Sequence, residues 1–310
     1  MRQIPLKISL VTVTFNDFER LARTASSVLA QTSVNFEWVI IDSNSTDNSV
    51  ELYKFFSFDS RLRILRSDRK GIYNAMNEGW RMSRGDYIWY LNSGDIFLRP
   101  DSIETVIKLI AQNKMGFVAS PVLNFTKQGY SANITSPSLD SNNYCQMNHQ
   151  GVIVKRDLIN SVSGFDESLK FAADGKLLDS IARISKPFFI EDILVGFELG
   201  GTSSINFKQT LQEIATYRHQ KFGVKKFILI GKNSLRIRLL NMEGGLGIFI
   251  RLIYYKRSQS SFHRSKNFVT IKSRHFPDHR ISVGPVLSCC INSGDIIAHK
   301  VHQFADTNTL

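Results

Sequence analysis

The residues Asn92-Ser93-Gly94-Asp95 set a single carboxylate at the end of a turn of small polar residues. A carboxylate offers hard oxygens, and Mg2+ commonly takes one or two of them while phosphates and water fill its other positions. Tyr87 to Leu91, aromatic-rich and uncharged, reads as a short buried strand that runs straight into this turn. Ahead of it, Ile72, Ala75, Met76, Gly79 and Met82 recur at helical spacing, which predicts a helix over 72–82 ended by Gly85-Asp86. In open α/β sheets, ligands bind just outside the carboxyl ends of the strands, where this turn falls. A plain strand-to-helix loop would have the same composition, so the surrounding elements have to decide.

Those elements alternate. Lys7 to Phe15 is a β-branched strand, apolar enough to be covered on both faces. Phe18, Leu21, Ala22, Ala25, Val28 and Leu29 then mark a helix, and Phe36 to Ile41 a second strand. Asp42 to Asp47 forms a polar loop able to cap the helix expected over Val50 to Phe56, and Arg61 to Leu65 reads as a third strand. Strand, helix, strand, helix, strand, helix, strand is the pattern of a parallel sheet with right-handed crossovers. Further helices are expected at Ser102 to Gln112, Arg156 to Val162, Phe171 to Ile184 and Lys208 to Phe222. Strands are expected at Gly116 to Pro121, at Gly151 to Val154 and within Phe188 to Gly196, while 122–148 has no clear period.

At 310 residues, 43% apolar and 21% charged, the chain has room for one large domain and an appendage. Three cysteines, Cys145, Cys289 and Cys290, make no disulfide framework and point to a reducing compartment. The start, MRQIPLKISLVTVTF, reads as the first strand rather than a signal peptide, and no apolar run approaches the ~20 residues of a membrane span. Charge is uneven. Residues 1–220 hold 24 Lys+Arg against 23 Asp+Glu, and residues 221–310 hold 15 against 4, so the formal +12 belongs almost wholly to the end. An anionic partner for that region follows.

Several motifs stand in order: Thr12-Val13-Thr14-Phe15-Asn16, Ile41-Asp42-Ser43-Asn44-Ser45-Thr46-Asp47, Lys70-Gly71-Ile72-Tyr73-Asn74-Ala75-Met76-Asn77 and Tyr90-Leu91-Asn92-Ser93-Gly94-Asp95. His149-Gln150, Gly164-Phe165-Asp166-Glu167 and Phe171-Ala172-Ala173-Asp174 follow. The set resembles the glycosyltransferase family 2 domain over about residues 6–205, nearest to bacterial enzymes of capsule, colanic-acid and lipopolysaccharide synthesis. The resemblance implies a GT-A fold, a Rossmann-like α/β arrangement with a mainly parallel sheet flanked by helices. It also implies transfer of a sugar from a nucleotide-diphosphate donor, most often a UDP-sugar, with inversion, to a glycan or polyprenyl-linked acceptor.

Roles carry over by position. Thr14, Phe15 and Asn16 would lie beside the nucleotide, and Asp42 would accept an N–H of the base; its alternative role is a helix cap, work that Asp47 or Ser45 could do equally well. Arg66, Arg69 and Lys70 ahead of a helix N-terminus suit a diphosphate or are a solvated basic loop. Asn74 and Asn77 would line the donor sugar's pocket or face solvent, and Asn92 would contact ribose or sugar. The family's usual Asp-x-Asp metal motif is here Asn92, Gly94 and Asp95, leaving Asp95 alone to hold Mg2+ or Mn2+. Asp174 matches the general base that takes the acceptor's proton, with Asp166, Glu167 and Asp179 as competitors and His149 beside the acceptor.

The boundary is set at 1–222 for the transferase domain and 223–310 for a basic region. There, Arg236, Arg238, Arg251, Lys256 and Arg257 mix with Leu, Ile, Phe and Tyr, which suits peripheral attachment to anionic lipid. A cytoplasmic enzyme at the inner face of the cell membrane follows, with no nucleic-acid signature accompanying the charge. A sugar nucleotidyltransferase would need a Gly- and basic-rich loop where Asn16-Asp17 stands, and a dehydrogenase a G-x-G-x-x-G. A glycan-binding module without catalysis stays open on Asn92 and Gly94.

Overall fold

The computed structural model describes residues 6–68, 70–126, 131–200 and 206–218. Among these described residues there are thirteen strands: β1 Ile8–Thr14, β2 Phe36–Asp42, β3 Leu62–Arg66, β4 Tyr87–Tyr90, β5 Ile96–Phe97, β6 Phe117–Ala119, β7 Val122–Phe125, β8 Ser131–Thr135, β9 Ser138–Leu139, β10 Cys145–Gln146, β11 Val152–Lys155, β12 Phe188–Phe189 and β13 Val195–Glu198. The helices are α1 Phe18–Leu29, α2 Ser49–Phe56, α3 Ile72–Met82, α4 Ser102–Asn113, α5 Arg156–Ser161, α6 Ala173–Ile184 and α7 Phe207–Tyr217, with a short 3-10 turn at His149–Gly151.

The main sheet has the order β12-β6-β11-β4-β1-β2-β3. The pairs β1–β2, β1–β4, β2–β3 and β6–β12 are parallel, and β11 runs antiparallel to both its neighbours. Period-2 alternation along each central strand feeds two cores. Ile8 and Leu10 of β1, Phe36, Trp38 and Ile40 of β2 and Trp89 of β4 pack with α1, α2 and α4. Val11 and Val13, Val39 and Ile41, and Ile88 and Tyr90 pack on the opposite face with α3, α5 and α6. Burying an apolar side chain of this size stabilises by roughly 1.5–3 kcal/mol, and two covered faces account for the unbroken burial along β1 and β2.

Helix α3 has the predicted bounds, but its buried residues are Tyr73, Ala75, Met76, Asn77 and Gly79, while Ile72 and Met82 are exposed. Gly79 is there because α3 lies hard against β1: a Cβ on it would stand 2.3 Å from Val11 Cγ1. The stretch 122–148, unreadable from pattern, supplies β7 to β10. A second sheet, β5-β13-β7-β8, takes its strands from distant parts of the chain. Its β13 pairs with β5 directly after the Asn92–Asp95 turn, and β13 ends at Glu198. The basic region expected at 223–310 lies outside the described residues.

Candidate active site

Register puts the first expected contacts in one row. Thr14 of β1 pairs with Asp42 of β2, and Asp42 pairs with Arg66 of β3, all at the carboxyl ends of parallel strands. Asp42 is fully buried, and its Oδ1 accepts from the backbone N–H and hydroxyl of Ser45. Its Oδ2 faces Arg66 Nε at 3.3 Å, and Arg66 Nη2 donates to Ser45 O at 2.7 Å. Asp42 is no helix cap. That work falls to Asp47, which accepts from Ser49 N at the start of α2 and, across the two loops, from Phe18 N at the start of α1. Asn16, at φ +45°, ties the same loops together by accepting from Thr46 N and donating its own N–H to Ser45 Oγ. Thr14 Oγ1 is buried with no hydrogen-bond partner. Phe15 is half-buried beside it and Lys70 is exposed ahead of α3, while Arg69 lies outside the described residues.

A second group forms where β4 ends. Leu91 N and Ser93 N continue the pairing onto β1 by donating to Val11 O and Val13 O, so the turn stands level with Thr14. Trp89 Nε1 donates to Gln150 O at 2.7 Å and holds the His149–Gly151 turn against the sheet. His149 is thereby aimed between two elements. Its Nε2 is 3.3 Å from Asn92 Nδ2, and its Nδ1 is 3.0 Å from Asp174 Oδ2. Asp174 Oδ1 accepts from the Tyr73 hydroxyl at 3.2 Å and from Gly175 N at 2.9 Å. Burial alone would push the Asp174 carboxyl up, but the His149 bond and charge, Gly175 N–H and Tyr73 hydroxyl together lower it. Burial likewise works against a charged His149, yet the Asp174 bond and charge, with Asp95, raise its pKa.

Asp95 sits behind this group, 2% exposed. Burial pushes its carboxyl up to about 7, against the pull of His149 and Arg20. Arg20 of α1 lies 3.3 Å from Glu198 and 3.5 Å from Asp17, and Arg23 bonds Glu198 at 2.6 Å. Glu198 N approaches Asp95 Oδ1 at 3.4 Å, so β13 and α1 both brace the turn. Asn92 Oδ1 is buried without a partner.

Most of the remaining candidates have partners within the protein. Asn77, 1% exposed, donates to Phe165 O and Glu167 and accepts from Phe165 N and Trp80 Nε1, locking α3 to the Gly164 turn. Asn74 donates to Glu167, while its Oδ1 is buried without a partner. Of the competitors for the base, Asp166 is paired with Lys176 and held down at about 2, and Glu167 serves the two asparagines. Asp179 is buried, bonding Arg218 twice and Cys145 N. Only Asp174 of the four bonds His149. Sequence reasoning passed over Tyr73, Arg20, Gln150 and Glu198. Tyr73 lies within the Lys70–Asn77 motif; Glu198 has no local signal, because the β13–turn contact spans 103 positions.

Residues 9–145 match Glycosyl transferase family 2. An uncharacterized glycosyltransferase of Rickettsia bellii is 28% identical over 164 residues, 53% of this chain and 24% of that protein, so the chain spans about a quarter of that relative. The solved mannosyltransferase PcManGT from Pyrobaculum calidifontis, in complex with GDP-Man and Mn2+, aligns with a TM-score of 0.56 at 13% identity over 95% of this chain and 87% of that one. S. aureus TarS 1-349 in complex with UDP-GlcNAc aligns at 0.53 and 14% identity over 84% and 74%. Over residues 9–145 the chain is therefore similar to the glycosyl transferase family 2 domain, and its mixed α/β fold with a mainly parallel central sheet is the GT-A fold of these neighbours.

Proposed function

We propose that this protein transfers a sugar from a nucleotide-diphosphate donor to a hydroxyl acceptor, with inversion. The observation that carries the reading is the junction at the carboxyl edge of the sheet. The row Thr14–Asp42–Arg66 stands on one side and the linked Asn92–His149–Asp174 group on the other. The first suits a base and its phosphates; the second suits proton abstraction. Solved neighbours hold UDP-GlcNAc and GDP-Man, and a UDP-sugar is the donor class we favour.

In this reading the Asp42 carboxylate accepts a base N–H once Arg66 swings from Asp42 toward the diphosphate. Asn92 Oδ1, without a protein partner, accepts a ribose or sugar hydroxyl. The orphaned hydroxyl of Thr14 takes a further bond from the nucleotide. The acceptor's proton is taken up at the linked His149–Asp174 pair.

Among the described residues no three His, Cys, Asp or Glu side chains cluster to hold a metal by themselves. Asp95 nonetheless fits a cation that arrives with its donor: its carboxylate meets the Gln150 side chain and, at a long 3.4 Å, Glu198 N, which leaves acceptor capacity on hard oxygens. When bound there, Mg2+ or Mn2+ would neutralise charge on the leaving diphosphate.

The acceptor we favour is a glycan or polyprenyl-linked sugar of surface polysaccharide synthesis, reached from the cytoplasmic face of the membrane. The 15 basic against 4 acidic residues beyond 220 support attachment to anionic lipid. No helix among the described residues is long and apolar enough to cross a membrane. The donor reading is tested by thermal shift with UDP, GDP and their sugars on wild type and Asp42→Asn. The expected result is a shift with one nucleotide that Asp42→Asn reduces at least tenfold in apparent affinity. Equal shifts for both proteins would remove Asp42 from the site.

A further inference from the structure

We infer that the atom taking the acceptor's proton is Nε2 of His149, and that Asp174 orients and charges-balances the ring instead of taking the proton itself. This rests on the transferase reading above and goes further by naming the atom.

The argument starts from what Asp174 already accepts. Oδ1 receives the Tyr73 hydroxyl and Gly175 N–H, and Oδ2 faces His149 Nδ1. Asp174 also lies in the first turn of α6, where the helix dipole favours negative charge. A carboxylate held by three donors and a dipole is stabilised as the anion, which makes it a weak proton acceptor. The same contacts make it a good partner for an imidazolium. His149 has the complementary arrangement. With Nδ1–H donating to Asp174, the neutral ring presents a lone pair on Nε2, the tautomer that this network selects. Nε2 points to Asn92, at the turn beside the donor row, and the side chain is 17% exposed.

Asn92 completes the device. Its Nδ2 lies 3.3 Å from Nε2, a weak bond that an incoming hydroxyl can displace, and its Oδ1 is buried with no partner. Once Nε2 carries a proton, a half-turn of the amide offers that Oδ1 as acceptor. Among protein groups, that orphaned carbonyl oxygen then gains a donor in the protonated ring.

The step balances. The acceptor O–H bond breaks and its proton goes to Nε2, while the oxygen forms a bond to the anomeric carbon. The bond from that carbon to the diphosphate breaks, and its electron pair leaves on the diphosphate oxygen. The imidazolium, paired with Asp174, then returns its proton to water. The titratable groups facing this pair are Asp95 in the turn, Tyr73 of α3 and Tyr217 of α7.

The test uses the full chain and nucleotide release by hydrolysis, with water as acceptor, from UDP-GlcNAc and GDP-mannose. His149→Gln can still donate to Asp174 but cannot take a proton at that position. It should lose roughly 10²–10⁴ in rate while keeping the wild-type thermal shift with donor. His149→Ala should regain at least about tenfold on adding imidazole, in proportion to its neutral form, and Asp174→Asn should not respond. Wild-type kcat/KM should fall as pH drops through a value above 6.5, the ordinary histidine pKa. Because Asp95 titrates in the same range, the imidazole response decides between the two groups. His149→Gln within a few-fold of wild type, or no imidazole response in His149→Ala, overturns the assignment alone. A wild type that releases no nucleotide from either donor overturns the transferase reading, and the assignment falls with it.

Discussion

The guanidinium of Arg20 lies where a side chain at position 94 would begin. A Cβ on Gly94 would stand 2.4 Å from Arg20 Nε and 2.6 Å from Nη2, and Gly94 itself has φ +95°. Position 94 is where the family resemblance leads one to expect an acid. Here the backbone conformation and a cation from α1, held by Asp17 and Glu198, both close that place.

Restoring the acid should therefore fail. Gly94→Asp has to strain the backbone and displace Arg20, at a cost of about 1–3 kcal/mol. We expect a lower melting temperature by scanning fluorimetry and no gain in Mn2+ affinity by titration calorimetry. An unchanged melting temperature with tighter Mn2+ would show that the turn accommodates the motif after all.

Asp95 carries a cost in the free protein. Its folded pKa, about 7, exceeds the 3.8 of an ordinary aspartate, so the native state binds more protons between those values. Wild-type stability must then fall as pH rises through that window and level off above it. Asp95→Asn removes the effect, which is on the order of a few kcal/mol at most. The variant should melt higher than wild type at pH 8, match it near pH 4, and lose donor binding that depends on Mn2+. A variant that melts lower at pH 8 would mean that the carboxylate stabilises the free fold.

The helix faces and parallel strands were legible because periodicity is local: α3 has the bounds that Ile72, Ala75, Met76 and Gly79 predict. The same pattern misplaced Ile72 and Met82, which end the helix in solvent. The second sheet was not legible, since β5, β7 and β13 are short and pair across tens of residues. The candidate site divides the same way. Motif positions brought Asp42, Asn92, His149 and Asp174 into view, but spacing could not tell that Asn77 is consumed by Phe165 and Glu167. Nor could it tell that Arg20 fills the place beside Gly94.

Asp179, a competitor for the base by sequence, is committed to a structural contact instead. It is 2% exposed and bonds both Arg218 and Cys145 N, joining α6 to the end of α7. Asp179→Asn leaves a mostly buried guanidinium without its counter-charge. The expected loss is on the order of 3 kcal/mol, read as a lowered urea midpoint. A midpoint equal to wild type would show that Arg218 finds another partner.

The charge beyond residue 220 makes a separate prediction. Full-length protein should sediment with anionic phospholipid vesicles at low salt and be released as salt screens the attraction. A chain ended after Phe222 should stay in the supernatant. Full-length protein that ignores such vesicles would end the membrane proposal and leave the transferase reading untouched.

The most direct measurement is nucleotide release by the full-length chain from a panel of UDP- and GDP-sugars with Mg2+ or Mn2+, read beside His149→Gln and Asp174→Asn. The account predicts that one donor class is turned over by wild type and bound by all three proteins, and that both variants lose roughly a hundredfold or more in rate. Binding without release by wild type, or release that both variants retain, would contradict it.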